Sequence, residues 1–344
     1  MNLQEIKRGI SKLSQSERQE LLKELSTSPK DSVPTVRSQE SRRFLLDNKL
    51  GCCAHCSHPK YVKFGIDKGS QRYKCKSCKR SFTEYTGTWM AGLQHKDKID
   101  DYLKLMLEEK SLDKIKVALS INKKTAFDWP HKILVPLSEN DKDDFTGITE
   151  SDETFFLNSE KGRPVNHRES RKRGGSSKTK GISNDQVAVI VTQDRTSNPD
   201  ITVATMGRLK KIDIVNAIGS RIKASKAILC RDTHLSYKGF AIDNKIEHHT
   251  LKGVIKQRVK NKVYHIQHVN STHNRVKKWI DNKFWGVSTK YLQQYLNWYR
   301  IKEKLKYRND KLNAFVNKVS EHINAYQKYQ NIGLKYQKLI STQF

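Results

Sequence analysis

Two groups of residues in this chain have the types and spacing for metal chemistry. The first is Cys53-Ala-His-Cys56, followed after 18 residues by Cys75-Lys-Ser-Cys78. Two Cys-x-x-Cys pairs at this separation suit a tetrahedral structural Zn2+, each pair sitting on a tight knuckle. His55 and His58 offer further nitrogens, but four thiolates already complete the set, and Cys52 is left over. A closed site of this kind folds its module rather than catalysing. The alternative is a reduced cluster without metal. The second group is Glu150-Ser151-Asp152-Glu153, inside the stretch Gly147 to Phe156, where β-branched and aromatic residues cluster as in a strand. Strand geometry puts Glu150 and Asp152 on one face and Glu153 on the other. Acids in a buried strand are costly unless a metal or a donor pairs with them. These ten residues alone fit an exposed strand end with solvated acids equally well.

The elements around these groups must position them. Between the cysteine pairs, Tyr61 to Gly65 and Arg72 to Lys74 alternate as strands, which suggests a zinc ribbon with basic surroundings at Lys74, Lys76, Lys79 and Arg80. Upstream, Leu3, Ile6, Ile10 and Leu13 recur at helical spacing, and Ser14 with Glu17 forms a capping-box pattern before Leu21, Leu22 and Leu25. Residues 26–41 read as a linker. Downstream, Ile99, Tyr102, Leu103, Met106 and Leu107 form a helical stripe. Ser111 to Leu119 and a second helix through Thr125, Ala126 and Trp129 then flank a break at Ser120-Ile121-Asn122. That is a helix-turn-helix pattern with Lys123 and Lys124 at the start of its second helix, although any helical hairpin has a similar look. Pro130 counts against it, because a proline this far into a helix removes a hydrogen bond and kinks the chain.

After the acidic strand, Lys161 to Lys180 carries eight basic residues, one acid and three glycines. It reads as a flexible basic loop, either a phosphate contact or an insertion. Val187 to Thr192 and Ile201 to Met206 are strands joined around Ser197-Asn198-Pro199-Asp200, Ile212 to Ile222 is an amphipathic helix, Ala227 to Cys230 a strand ending at Arg231-Asp232, and Ile246 to Leu251 a fifth strand. Three strands in series, then helix, strand, short helix, strand and a long helix is the ribonuclease H-like order. In that order strand ends and a late helix meet at one metal site. The late helix runs from Tyr264 to Ile280, with Val269, Val276, Trp279 and Ile280 as its buried stripe. Asn270 and Lys277 lie two turns apart on one line beside it, placed to serve a metal and a phosphate or simply to edge a solvated helix.

Composition narrows the partners. Lys and Arg total 66 against 36 Asp and Glu, a formal charge of +30, which points to a polyanion such as nucleic acid. A membrane surface is the competing partner, but no apolar run approaches the ~20 residues needed to span a bilayer. The polar N-terminus shows no signal peptide. Five of the six cysteines fall within residues 52–78, as in a metal site in a reducing compartment.

The chain resembles bacterial insertion-sequence transposases of the ISXO-like group, with an N-terminal zinc ribbon, a helix-turn-helix and a DDE-type catalytic domain. The resemblance is carried by the Cys-x-x-Cys pair with RYKCKSCKRSFTEYTGT, by SDETFF, LCRDTHLSYKGF, HIQHVNSTHNRVKKWI and GVSTKYLQQYLNWYR, spanning roughly Cys53 to Arg300 in order. It implies that Asp152 is the first catalytic acid and Asp232 the second. Asn270 stands at the third position, where many relatives have Glu, and Lys277 matches the following basic residue. It implies Mg2+ (or Mn2+) held by Asp152, Asp232 and Asn270, and double-stranded DNA (element ends and target) as partner. It also implies a homo-oligomer and a bacterial cytoplasmic, nucleoid-associated location. A catalytically inactive zinc-ribbon DNA-binding regulator is the alternative. The expected fold is α+β and multidomain: a helical segment and linker (1–45), a zinc ribbon (46–90), a helix-turn-helix (91–140), a ribonuclease H-like catalytic domain with a mixed five-stranded sheet (146–300) and a basic helical tail (301–344).

Overall fold

The structure, a computed structural model, describes residues 51–138, 143–162 and 179–341 except 68, 197–198, 253–257 and 321–324, together with Ser14, Ser16, Glu17, Glu40, Gly175 and Ser177. Of the expected N-terminal helices, the capping pair is within this set. The Ser14 N–H donates to Glu17 Oε2 at 2.8 Å and the Glu17 N–H to Ser14 Oγ at 3.3 Å, the reciprocal bonds of a capping box. The remainder of the helices and linker expected over 1–45, and most of the basic stretch Lys161 to Lys180, lie outside the described residues.

The first module is an antiparallel sheet of β1 (Tyr61–Asp67), β2 (Ser70–Cys75) and β3 (Ser81–Thr83). Its core is small: Cys53, Tyr73, Cys75 and Phe82 are buried, with Tyr61 packed edge-on against both rings. Three helices follow, α1 (Ile99–Leu107), α2 (Leu112–Leu119) and α3 (Lys123–Leu134). Ser111 and Asn122 cap α2 and α3, and Ser120 closes α2 at φ 49°. The turn at Ser120-Ile121-Asn122 therefore forms as its residue types dictate. Pro130 does not break α3, contrary to expectation. The carbonyl that it leaves without an intrahelical donor, Ala126 O, accepts from the Tyr102 hydroxyl of α1 at 2.6 Å.

A five-stranded mixed sheet organises the rest. Its members are β4 (Gly147–Leu157), β5 (Gln186–Asp194), β6 (Pro199–Met206), β7 (Ala227–Arg231) and β8 (His248–Thr250), in the order β6-β5-β4-β7-β8. β4, β5 and β6 pair antiparallel, whereas β7 and β8 join parallel to β4. α4 (Lys211–Ile218) and α5 (Leu235–Asp243) cover one face, where Ile214, Ile218, Tyr237 and Phe240 pack on Ala188 and Ile190. α6 (Gln267–Phe284) covers the other, where Val269, Val276, Trp279 and Ile280 join Val187, Val189 and Val191. The alternation along β5 thus assigns each face of the sheet to different helices.

Several boundaries moved, each for a local reason. α4 stops at Ile218, before Gly219 and Ser220, although Ile222 is still buried. The fifth strand narrows to three residues, with Ile246 and Leu251 buried on its flanks. α6 begins three residues later than expected, because Tyr264 pairs with Lys260 and lays its ring 3.7 Å from that of His249. It continues four residues further, to Phe284. There Trp285 takes φ 55° and Lys161 Nζ donates to the Phe284 and Gly286 carbonyls at 2.6 and 2.9 Å. α7 (Leu292–Leu305), α8 (Lys311–Ser320), α9 (Ala325–Gln330) and α10 (Ile332–Ser341) end the chain. The last helices do not trail into solvent. Phe315, Val316 and Val319 are buried in the same cluster as Trp89, Tyr102 and Val269, and Trp89 Nε1 donates to the Val319 carbonyl at 3.0 Å.

Candidate active site

The parallel pairing of β4 with β7 sets Glu150 opposite Cys230. Two residues further along are Asp152 on β4 and, just past the end of β7, Asp232, whose charge reaches Asp152. Asp152 and its neighbour Glu153 feel this placement. Burial, then the charges of Glu153 and Asp232, hold Asp152 well above the usual carboxylate range. Glu153 is pushed up to about 7 by burial and by Asp232. Its Oε2 is buried with no hydrogen-bond partner among the described residues. Asp232 accepts from the His234 N–H at 2.8 Å, at the start of α5. Asp152 lies opposite Val191 and therefore faces α6. Glu153 lies opposite Ile190 and faces α5, where the Tyr237 hydroxyl is pushed up by burial and then by Glu153.

α6 is fixed across the strand by Glu150, which is 1% exposed. Its Oε2 accepts from the N–H groups of His268 at 2.9 Å and Val269 at 3.2 Å, the open donors of the helix's first turn. Asn270 is the next residue, exposed, in that same turn. One turn on, His273 is 8% exposed. Burial and Lys277 lower it to about 4, against the pull of the Asp152 backbone, so it is neutral at pH 7. Its Nε2 has no partner among the described residues. Lys277 follows, half-buried, lowered by burial, with Nζ 5.9 Å from the centre of the Phe156 ring. Asn270 is thus bracketed on the helix by the residue that holds Glu150 and the residue that meets Asp152.

Arg195, just after β5, closes the other side of Glu150. Its Nη1 lies 2.8 Å from Glu150 Oε1, 3.0 Å from His265 Nε2 and 2.6 Å from His268 Nδ1. Glu150, His265 and His268 together have the donor spacing of a metal site. The guanidinium nitrogen, however, already lies at the point from which an ion would reach all three. His268 Nδ1 is also 2.6 Å from Glu150 Oε1, and one ring nitrogen cannot accept from Arg195 and donate to Glu150 at once. Donation to the carboxylate is the assignment that charge favours.

At the other metal-spaced group, Cys53, Cys56, Cys75 and Cys78 converge as expected. Cys53 and Cys78 sulfurs are 3.7 Å apart, as are those of Cys56 and Cys75. A tetrahedral ion with Zn–S bonds of about 2.3 Å requires an S···S edge of about 3.8 Å. The His55 and Ser77 N–H groups each donate to the first cysteine of their pair at 3.3 Å, so both pairs are knuckles. His55 turns away to the Ser81 carbonyl and His58 to Lys60. Cys52 is outside the cluster.

Sequence reasoning named Asp152, Asp232, Asn270 and Lys277. It missed His273, Arg195 and the roles of Glu150 and Glu153. His273 had a usable signal, because it falls on the Asn270–Lys277 line at helical spacing. Arg195 had none, since nothing in its neighbourhood marks it off from other surface arginines.

Residues 145–303 match the family model of the ISXO2-like transposase domain, and the resemblance to insertion-sequence transposases holds over that span. None of the curated proteins matches this chain. Among solved structures, a pre-cleavage Mos1 transpososome is 11% identical, covers 65% of this chain and 79% of its own, and gives a TM-score of 0.19. A Mos1 strand transfer complex is 13% identical, with 63% and 78% covered and a TM-score of 0.19. A Mos1 mariner paired end complex with Mn is 11% identical, with 88% and 93% covered and a TM-score of 0.20. TM-scores this low say nothing about how the elements are arranged here. Among the described residues, no helix is long and apolar enough to cross a membrane.

Proposed function

We propose that this chain is a transposase of the insertion-sequence type. It binds the terminal inverted repeats of its element and catalyses metal-dependent DNA strand cleavage and strand transfer. Its main support is the parallel pairing of the inner strands β4 and β7, which carry Asp152 and lead into Asp232 close enough for their charges to interact, beneath a helix that carries Asn270 and Lys277.

The donor set suits a hard divalent cation. Asp152, Asp232 and the Asn270 side-chain oxygen offer oxygen ligands only; burial and the neighbouring acids raise Asp152, and the buried Glu153 Oε2 has no partner among the described residues. Mg2+ or Mn2+ held there would supply activation of the attacking oxygen and stabilisation of the leaving one. The chain's own residues fix the geometry. The two strands hold the carboxylates, and the first turn of α6 presents the amide. Lys277, about 10.5 Å along the helix from Asn270 by helical rise, anchors a phosphate of the scissile strand. Neutral His273 keeps a buried, uncharged wall behind Asp152.

The ribbon at 53–83, holding Zn2+ through Cys53, Cys56, Cys75 and Cys78, and the helix pair α2–α3 serve as the DNA-binding part of the same enzyme. The exposed Lys124 at the start of α3 and the surplus of 66 basic over 36 acidic residues support a DNA partner. Joining two ends together calls for a homo-oligomer, and a cytoplasmic, nucleoid-associated location follows from the substrate. The test is incubation of the purified protein with labelled element ends and Mg2+, mapping the nicked strands. Asp152→Ala and Asp232→Ala should each abolish nicking while end binding persists. End binding with no metal-dependent nicking by the unaltered protein would instead leave a DNA-binding regulator.

A further inference from the structure

Glu150 is a buried carboxylate that the proposed chemistry does not use. It is reached from three directions: Arg195 beyond β5, the His265 and His268 rings, and two backbone N–H groups of α6. Oε2 takes the two N–H groups, and Oε1 takes Arg195 and His268 Nδ1. A carboxylate at a helix N-terminus satisfies open donors and complements the positive end of the helix dipole. Here it is contributed by a distant strand rather than by the helix's own capping position. Ile266, which occupies that position, has no side chain able to cap. Val269 packs the first turn into the same core as Val276, Trp279 and Ile280, so what Glu150 adds there is an acceptor for backbone N–H groups that the later turns satisfy within the helix.

We infer that Glu150, locked by Arg195, is a positioning residue. It clasps the first turn of α6 to β4 and thereby sets where Asn270 stands relative to Asp152. Glu150 precedes Asp152 by two residues on one strand, and Val269 precedes Asn270 by one on the helix. The clasp therefore joins the strand and the helix within two residues of Asp152 and one of Asn270. Losing it leaves the His268 and Val269 N–H groups open and frees the turn that bears Asn270. Arg195 sets a positive charge 2.8 Å from the buried carboxylate and so offsets the cost of burying it. This inference rests on the active-site reading above for its consequence, though not for the clasp itself.

The experiment uses the full chain with Glu150→Ala, Glu150→Gln, Arg195→Met and, as reference, Asp152→Ala. Amide hydrogen exchange reads the clasp without any metal or DNA. In Glu150→Ala, exchange over residues 266–272 should rise about tenfold or more while 276–283 keep their protection, as expected for opening of one turn. Glu150→Gln retains an acceptor oxygen and should recover part of the protection. Arg195→Met should fall between wild type and Glu150→Ala, and it carries the test if Glu150→Ala fails to fold. Calorimetric Mn2+ binding should weaken about tenfold or more in Glu150→Ala, and nicking of labelled ends should lose kcat with end binding unchanged, since misplacement by about 1 Å can cost about a hundredfold. Unchanged exchange over 266–272 in Glu150→Ala or Arg195→Met overturns the clasp. Binding of Mn2+ or Zn2+ that is lost in Glu150→Ala but intact in Asp152→Ala also overturns it, and makes Glu150, His265 and His268 a metal site. If Asp152→Ala still nicks DNA, the active-site reading fails while the exchange result stands.

Discussion

The Tyr102 hydroxyl supplies the hydrogen bond that Pro130 removes from α3, reaching the Ala126 carbonyl at 2.6 Å from a neighbouring helix. Both partners are fully buried, so water cannot substitute. Tyr102→Phe should therefore destabilise the protein by about 1–3 kcal/mol, the cost of orphaning a buried carbonyl. Pro130→Ala returns an intrahelical donor to Ala126, so the loss should shrink in the double variant. Denaturant midpoints of the four proteins form the cycle that checks this. Equal losses with and without Pro130 would mean that the hydroxyl acts independently of the hydrogen bond the proline removes.

His131 should make the protein acid-sensitive. The ring is buried in α3, stacked 3.8 Å from Tyr291 and edge-on to Phe127. Burial, then Lys290, lowers it to about 3. Between that value and the unfolded value of about 6.5, the unfolded chain carries the proton and the folded one does not. Stability from this group is thus complete above about pH 6.5 and declines as pH falls, by up to about 1.4 kcal/mol per unit. His131→Phe keeps an aromatic ring in the stack, and its stability profile between pH 6.5 and 4 should be flatter than wild type.

Much of this architecture was legible from local rules. The turn at Ser120-Ile121-Asn122 needs a left-handed residue and a capping side chain, and the residues present supply both. The faces of β4 and β5 follow from strict alternation. Pairings that join distant segments were not legible. Nothing local ties Tyr102 to Ala126, Glu150 to His268 across 118 positions, or Trp89 to Val319 across 230. The last of these explains why a basic, polar-looking C-terminal segment is core. Its few apolar residues, Phe315, Val316 and Val319, fill a space that other helices define. At the candidate site, the sequence pointed to Asp152, Asp232, Asn270 and Lys277 through motifs, whereas Glu150 and Arg195 meet only through the fold.

Metal removal should separate the ribbon from the rest. Apart from the thiols, Tyr73 and Phe82 are its buried side chains, too little apolar surface to hold three short strands together. Stripping Zn2+ with a chelator, or making Cys56→Ser, should expose residues 53–83 to protease and abolish end binding. The 145–303 domain should keep its resistance to protease. Protection of the ribbon after verified loss of all metal would show that its fold does not depend on the ion.

Divalent ions should raise the melting temperature through Asp152. In the folded state burial raises Asp152 and Glu153, the charge of Asp232 raises both further and that of Glu153 adds to Asp152, a repulsion absent from the unfolded chain. A bound cation removes the repulsion and adds RT ln(1 + [L]/Kd), about 2.7 kcal/mol at a concentration a hundredfold above Kd. Asp152→Asn removes one of the repelling charges and one of the ligands together. It should therefore melt at a higher temperature than wild type without divalent ions and gain little when Mn2+ is added. Asn270→Asp should do the reverse, because a further carboxylate at the rim increases the repulsion and strengthens the hold on the ion. Thermal melts of the three proteins with chelator and with Mn2+ give six values. The crossing of the Asp152→Asn and Asn270→Asp responses is the expected pattern. Parallel shifts in all three would place the ion somewhere other than between these residues.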